Sequence, residues 1–158
     1  MNVLKIQQEI LKALLTDGKE SVHFYDYDAE HTFVTTTWKV GYVLPNDSLR
    51  VILRDAQSMM DLTSEIMGTV LLANHLIGTD EYRNGGVARK YLRKDSPETA
   101  IYVDTNLLKH FSHPELYQKK GGPTGQVVVT ERVVGSSEDA IVGIVMPTKI
   151  AETADENY

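Results

Sequence analysis

The chain has 158 residues, of which 42% are hydrophobic and 24% charged, a composition typical of one globular domain. Sixteen Lys and Arg residues stand against 22 Asp and Glu residues, and the formal charge of -6 opposes non-specific binding to nucleic-acid phosphates. The absence of cysteine excludes disulfides, thiolate metal sites and a cysteine nucleophile.

The first residues and the lack of a long apolar run predict a soluble protein. Polar residues follow Met1 too soon for a signal peptide, and no apolar segment approaches the length of a membrane span. We therefore expect a cytoplasmic protein that does not bind a membrane.

The first third of the chain predicts a helix and a hairpin. Apolar residues at helical spacing from Ile6 to Leu15 predict an amphipathic helix, and Thr16-Asp17-Gly18 ends it. Two runs rich in β-branched and aromatic residues, Ser21 to Tyr27 and Thr32 to Leu44, predict the two strands of a hairpin. Pro45-Asn46-Asp47-Ser48 then breaks the second strand.

The middle third predicts one long or broken helix. Apolar residues keep to helical positions from Leu49 to Ile77, and Gly68 lies where a break would fall. Leu49, Val51 and Leu53 also alternate, which leaves a short strand before the helix as an alternative.

A basic segment follows this predicted helix. The turn signal Asn84-Gly85-Gly86 lies beside five cations, and Asp95 is the only acid between Tyr82 and Ser96. We interpret the segment as a solvated helix face, with a partner or nucleic-acid contact over residues 83–94 as the alternative. The candidate cations are Arg83, Arg89, Lys90, Arg93 and Lys94.

The last third predicts three more strands and a short helix. Thr99 to Val103 predicts a strand, after which Asp104 or Thr105 caps a short helix. Gln126 to Val134 and Asp139 to Ile150 predict the last two strands.

Two hexapeptides, Val40 to Pro45 and Val142 to Pro147, nearly repeat each other. Their flanks also align, which predicts two similar helix-strand-strand units over residues 3–45 and 99–150. A duplicated unit of this kind predicts pseudo-twofold packing.

The fold class that we predict is therefore α+β, with a mostly antiparallel sheet. A single domain spans residues 1–150, and a central helical insert, residues 48–96, separates its two units. Residues 151–158 are predicted to form an acidic flexible tail.

The outer thirds of the chain resemble a known family. Thr99 to Lys109 and Met146-Pro147-Thr148-Lys149-Ile150 resemble the opening and the closing strand of the half-domains of bacterial DNA sliding clamps. The resemblance implies paired strand-helix-strand-strand units, and a clamp function would further require a ring-like homo-oligomer with cationic helices facing DNA. The predicted helices offer few cations for that role, namely Lys5, Lys12 and Lys109, so we infer the fold alone from this resemblance.

A second resemblance is to the acetyl-CoA-dependent N-acetyltransferases. Residues 83–88 match their R-x-x-G-x-A loop, and Leu116 to Gly122 resembles their later L-Y-x-K-x-G-F. The resemblance implies a pyrophosphate site at a helix N-terminus, with Tyr117 as general acid. The implied acetyl-CoA-binding residues are Arg83, Gly85, Gly86 and Ala88. Outside this alternative we expect no cofactor.

Three residues near position 112 have the spacing of metal ligands but not a complete set. His110 and His113 lie three residues apart with Glu115 close behind, but Pro114 ends the helix and no ligand is evident that would complete the set. We predict surface histidines and no metal site.

Aromatic residues cluster in the predicted hairpin. We expect Trp38, the only tryptophan, to anchor the core, with an exposed aromatic face for a partner as the alternative. The residues of such a face are Tyr25, Tyr27, Trp38 and Tyr42.

These observations predict an acidic binding protein without catalytic activity. We expect it to bind a protein, such as a nucleic-acid-handling protein, and to act as a phage-type or mobile-element accessory or inhibitor. The alternatives are an acetyl-CoA-dependent N-acetyltransferase and a sliding-clamp-like oligomer on DNA.

Overall fold

The computed structural model describes residues 1–49, 57–58, 74–94, 96–118, 125–133 and 135–150. These residues form one α-helix, an eight-stranded sheet and a three-stranded sheet, so the predicted α+β class is confirmed. Every strand pair is antiparallel except the pairing of the first strand with the fourth. The elements are α1 (Val3–Asp17), β1 (His23–Asp26), β2 (His31–Thr35), β3 (Val40–Pro45), β4 (Gln57–Ser58), β5 (Asn74–His75), β6 (Ile77–Arg83), β7 (Ala88–Leu92), β8 (Ala100–Asp104), β9 (Glu115–Gln118), β10 (Val127–Arg132) and β11 (Asp139–Val145).

The predicted first helix is confirmed and is capped at both ends. The Asn2 side chain accepts a hydrogen bond from the Lys5 N–H at 3.2 Å, which satisfies a donor that the first turn leaves free. At the other end Gly18 adopts a φ of +84° and donates its N–H to the Leu14 carbonyl oxygen. No helix among the described residues is both long and apolar enough to cross a membrane.

The predicted hairpin is a three-stranded meander, because the run from Thr32 to Leu44 folds into two strands. The Thr35 hydroxyl donates to the Val40 carbonyl oxygen at 2.8 Å and so closes a tight turn between β2 and β3. Threonine side chains compete with strand ladders in this way, and the run contains three of them in succession.

The six inner strands of the large sheet are arranged symmetrically about its centre. The order is β4-β1-β2-β3-β11-β10-β9-β5, so β3 and β11, the strands that carry the two hexapeptides, pair at the centre. β2 and β1 follow outward on one side, and β10 and β9 follow outward on the other. The outermost strands break the symmetry, because β4 follows β3 in the chain and pairs parallel, whereas β5 precedes β9 and pairs antiparallel.

The hexapeptides pair with each other one residue out of step. Tyr42 lies opposite Gly143, and Gly41 lies opposite Ile144. A twofold axis normal to the sheet keeps each side chain on its own face, and residues that lie directly opposite share a face, so Gly143 shares its face with Tyr42 and not with Gly41. Gly41 and Gly143 therefore point to opposite faces of the sheet.

Two hydrophobic clusters cover the two faces of the large sheet. The larger cluster joins one face to α1 through Ile6 and Ile10, and to the small sheet through Tyr91, Ile101 and Val103. The opposite face carries a smaller cluster of buried residues. Its members are Phe33, Val43, Val128 and Ile144, with Tyr25, Tyr27 and Ile141 packed against them.

The predicted central helix is wrong where its residues are described. Gln57–Ser58 and Asn74–His75 are edge strands, and Ile77 begins β6. Asn84, Gly85 and Gly86 all have positive φ, which suits the turn of a β-hairpin and places strands on both sides of it. The predicted break at Gly68 and most of the predicted helix lie outside the described residues.

The last third follows the prediction closely. β10 and β11 lie within the predicted strands, and β8 is displaced by one residue from the predicted strand Thr99 to Val103. Asp104 accepts a hydrogen bond from the Asn106 N–H at 2.8 Å. The helix that Asp104 caps is a single 3-10 turn, Thr105–Leu108. β9 was not predicted, and residues 151–158 lie outside the described residues.

A first prediction concerns the two central glycines. A Cβ at Gly41 would collide with the Phe33 ring, whereas a Cβ at Gly143 would lie 2.5 Å from the Gly41 carbonyl oxygen and 2.7 Å from Cζ of Phe111. We expect either Gly→Ala change to lower the free energy of unfolding by about 1–3 kcal/mol. Urea denaturation followed by circular dichroism measures this.

The two sites should respond differently to a smaller neighbour. The cost of Gly41→Ala should shrink in a Phe33→Leu background, because the three atoms nearest to the added Cβ all belong to the Phe33 ring. The cost of Gly143→Ala should persist with Phe111→Leu, because backbone also blocks that site. Equal costs of Gly41→Ala in both backgrounds would contradict the packing described.

A second prediction concerns the attachment of α1. Glu9 lies 2.8 Å from Nε2 of His110 and 3.2 Å from Nζ of Lys109. Burial raises the pKa of Glu9, but hydrogen bonds from His110 and Lys109 outweigh it and hold that pKa below its ordinary value of 4.5. The ionised form is therefore the one that folding stabilises.

The contribution of Glu9 to stability should be present above pH 4.5 and lost as the pH falls through its lower folded-state pKa. Glu9→Gln should remove this loss, which is no more than about 1 kcal/mol because the side chain is nearly half exposed. Urea midpoints over this pH range measure it. Glu20→Gln, at an exposed position without an ion pair among the described residues, should leave the pH dependence unchanged.

Candidate functional site

An exposed aromatic platform lies at the tip of the β2–β3 turn. The Trp38 side chain is 57% exposed, and its ring centroid lies 4.5 Å from that of His23 and 6.0 Å from that of Tyr25. His23 and Tyr25 lie two residues apart on β1, so they share one face of the sheet. We refer to His23, Tyr25 and Trp38 as the aromatic platform.

The turn holds Trp38 in a backbone conformation that tryptophan rarely adopts. Its φ is +61°, in the left-handed region, which costs about 1–3 kcal/mol for a residue other than glycine. The Trp38 N–H donates to the Thr35 hydroxyl oxygen at 3.1 Å, and the Met146 N–H donates to the Lys39 carbonyl oxygen at 2.8 Å. Hydrogen bonds on both sides of the residue therefore maintain the strained conformation.

A small cleft opens beside the platform. Its volume is about 170 Å³, less than the roughly 300 Å³ at which small-molecule pockets begin. Nε2 of Gln126 is buried there without a hydrogen-bond partner among the residues that the structure describes. The cleft therefore has room for one side chain of a partner, with an amide donor at its wall. The lining residues are Phe33, Thr35, Trp38, Lys39, Val40, Gly41, Gln126, Ile144 and Met146.

The four residues of the predicted aromatic face differ in exposure. Tyr25 and Tyr27 pack beside the smaller cluster and Trp38 is exposed, so the expectation of Trp38 as a core anchor is wrong. Tyr42 is buried on the other face, 5.4 Å from the Phe111 ring, and cannot contact a partner. Even-numbered residues of β3 face the main core, which places Tyr42 inside.

Burial raises the pKa of two tyrosines that lie on opposite faces of the large sheet. It raises the pKa of Tyr27, and the Asp28 carboxylate raises it further. Burial likewise raises the pKa of Tyr42, with a further rise from the Glu9 carboxylate. Neither side chain supplies charge to the surface at neutral pH.

The basic segment is a β-hairpin and not a helix face, and the hairpin engages most of its cations. Lys90 pairs with Glu81 at 2.9 Å, and Nε of Arg89 donates to the Thr79 carbonyl oxygen at 2.8 Å. Arg93 is buried and donates to the Gln118 side chain at 3.1 Å. Arg83 and Lys94 remain exposed, so the five cations do not form one basic surface.

The loop of the acetyltransferase resemblance lacks the helix that the chemistry requires. Residues 84–87 form a turn between two antiparallel strands, and the buried Ala88 begins β7. Gly85 and Gly86 thus precede a strand, so no helix N-terminus points its N–H groups at a pyrophosphate here. Arg83, Gly85, Gly86 and Ala88 form a hairpin and not this type of cofactor site.

Tyr117 lies in β9, within a cluster that also contains His75 and Glu115. The rings of Tyr117 and His75 stack with centroids 4.9 Å apart, and Glu115 lies 2.6 Å from Nε2 of His75. Burial raises the pKa of Tyr117, and the carboxylates of Asp139 and Glu115 raise it further. A raised pKa makes the phenol a weaker acid, which disfavours the general-acid role.

The three residues with metal-ligand spacing have different surroundings and do not form one site. His110 is buried beside Glu9, so the prediction of surface histidines is wrong for this residue. His113 is exposed, and Glu115 pairs with His75. No group of three or more His, Cys, Asp or Glu side chains in the described part of the chain is arranged to hold a metal ion.

Sequence reasoning missed two residues of this site, His23 and Gln126. A signal for His23 exists, because His23, Tyr25 and Tyr27 alternate along the predicted strand Ser21 to Tyr27 and would therefore share a face. Gln126 has no such signal, since β10 reaches the cleft only through the pairing of distant strands.

No family model matches the chain, and neither the curated proteins nor the solved structures include a match to it. The two family resemblances therefore depend on the residues quoted for them, and the geometry of the site carries the functional argument.

A third prediction tests the strain at Trp38. Glycine adopts positive φ freely and alanine does not, so Trp38→Gly should be more stable than Trp38→Ala by about 1–2 kcal/mol. Urea denaturation followed by circular dichroism compares the two variants. At Lys39, which lacks a positive φ, the alanine variant should be the more stable of the pair. A Trp38→Gly variant less stable than Trp38→Ala would contradict the strained conformation.

Proposed function

We propose that this protein is a non-catalytic binding protein that engages a protein partner through the aromatic platform. The observation that carries the proposal is the exposure of Trp38, 57%, on a turn that holds it against the intrinsic preference of its backbone. Strain of this kind clusters at functional sites, where it presents a group in a fixed geometry.

Tryptophan and tyrosine are the residues most enriched among the energetic anchors of protein interfaces. Stacking of Trp38 on His23 restricts the ring before a partner arrives, so less side-chain entropy is lost on binding. The adjacent cleft would then receive one side chain of the partner. The buried Gln126 amide would donate a hydrogen bond to an acceptor on that side chain.

The formal charge of -6 favours a partner with a basic surface. Proteins that handle nucleic acids carry such surfaces, and an accessory or inhibitor protein would compete for them. We propose this class of partner on charge alone.

A fourth prediction follows from the single tryptophan. Capture with the tagged protein from a lysate identifies a partner, which is then purified and titrated while Trp38 emission is recorded. Burial of the ring should shift the emission to shorter wavelength. By calorimetry Trp38→Gly should weaken the affinity about 30-fold or more, because loss of a tryptophan anchor costs about 2 kcal/mol or more. Tyr82→Ala, at an exposed aromatic of the β6–β7 hairpin, should leave the affinity unchanged.

Three results would overturn the proposal. The first is a purified partner that binds Trp38→Gly as tightly as the wild type. The second is micromolar binding of acetyl-CoA that Gly86→Leu abolishes, which would support the acetyltransferase. The third is a closed ring-like oligomer in light scattering that binds DNA, which would support the clamp-like alternative.

A further inference from the structure

The helix α1 carries a second apolar surface, on the side away from the core. Leu4 is 73% exposed, Leu11 47% and Leu15 79%. The spacing of seven and then four residues places all three on one narrow strip of the helix. We refer to Leu4, Gln8, Leu11 and Leu15 as the leucine stripe.

Folding does not account for this stripe. Ile6 and Ile10, on the opposite side of the helix, are completely or almost completely buried in the core. Most apolar side chains of a half-buried helix face the core. Leu4, Leu11 and Leu15 instead face solvent. The stripe is therefore an apolar surface in excess of what the fold requires.

The stripe has the spacing of a coiled-coil seam. Leu4 and Leu11 occupy equivalent positions one heptad apart, and Gln8 and Leu15 occupy the other seam position. A single polar residue such as Gln8 in a seam is a feature that sets the register of a paired helix. The surface therefore fits another helix, laid along α1.

Charge identifies the kind of helix. Lys5 and Lys12 are exposed one heptad apart beside the stripe, and they form no ion pair with the described residues. Glu9 lies farther round the helix and is already paired with Lys109 and His110. A second copy of α1 in antiparallel orientation would bring Lys5 against Lys12, which costs energy. Glutamate or aspartate at the flanks of a partner helix would pair with both lysines.

We propose that the leucine stripe binds an amphipathic helix of a partner protein whose apolar seam is flanked by acidic residues. The proposal goes beyond the aromatic platform and does not depend on it, since the two surfaces lie on different elements. A protein with both surfaces would bridge two binding segments.

A fifth prediction uses a synthetic peptide as the probe. The peptide has about three heptads, leucine at the seam positions and glutamate at both flanking positions, so that its own copies repel each other. Calorimetric titration of the full chain should show binding of this peptide and none of the matched peptide with lysine flanks. Leu4→Gln with Leu11→Gln and Leu15→Gln should weaken the affinity about tenfold or more.

A charge exchange makes the test specific. Lys5→Glu with Lys12→Glu should reverse the preference, so that the lysine-flanked peptide binds and the glutamate-flanked peptide does not. Circular dichroism confirms that each variant keeps its helix. Trp38→Gly should leave the affinity for the peptide unchanged, which separates this proposal from the proposed function.

Two results would overturn the inference. One is equal binding of both peptides, or of neither, by the wild-type chain. The other is a stable dimer in sedimentation that the three Leu→Gln changes dissociate, since a second copy would then be the occupant of the stripe.

Discussion

The close approach of β3 and β11 at two glycines is the constraint on which the rest of the structure depends. Only three residue pairs join these strands, and within the described part of the chain they form the only ladder between the two halves of the large sheet. The absence of a side chain at Gly41 gives room to the Phe33 ring on one face, and its absence at Gly143 gives room to the Phe111 ring on the other. Both hydrophobic clusters therefore pack against the same short ladder.

The geometry of the aromatic platform depends on the same ladder between β3 and β11. Its turn belongs to the first half of the sheet, but the second half supplies the Met146 N–H that holds Lys39 and the Gln126 side chain in the cleft. Damage to the central ladder would separate these groups without touching a residue of the platform. Loss of binding in a variant is therefore informative only when the stability of that variant is also measured.

Local patterns predicted the elements that local forces determine. The helix from Ile6, the strand from Ala100 and the cap at Asp104 follow from periodicity and side-chain chemistry, and the structure confirms them. The β6–β7 hairpin was missed because an apolar periodicity that ran as far as Ile77 outweighed the turn signal at Asn84. Helix and strand periodicities overlap over short runs, and only tertiary context decides between them.

The candidate site was harder to predict than the fold. The aromatic run from Tyr25 to Trp38 indicated a surface, but nothing in the sequence marks Trp38 as a residue with positive φ. The burial of Tyr42 and Arg93 depends on which face a strand presents and on which strand lies next to it. Both properties depend on the pairing of distant strands, and the local patterns of a single sequence do not predict that pairing.

The outermost strands of the large sheet have a consequence for self-association. Among the described residues these strands, β4 and β5, each cover two residues, with the polar sequences Gln-Ser and Asn-His. Long apolar edge strands invite other chains to extend the sheet, which is a route to aggregation, whereas short polar edges offer little backbone for it. An eight-stranded sheet with such edges can expose aromatic and leucine side chains for recognition while its main chain stays a poor template for fibrils.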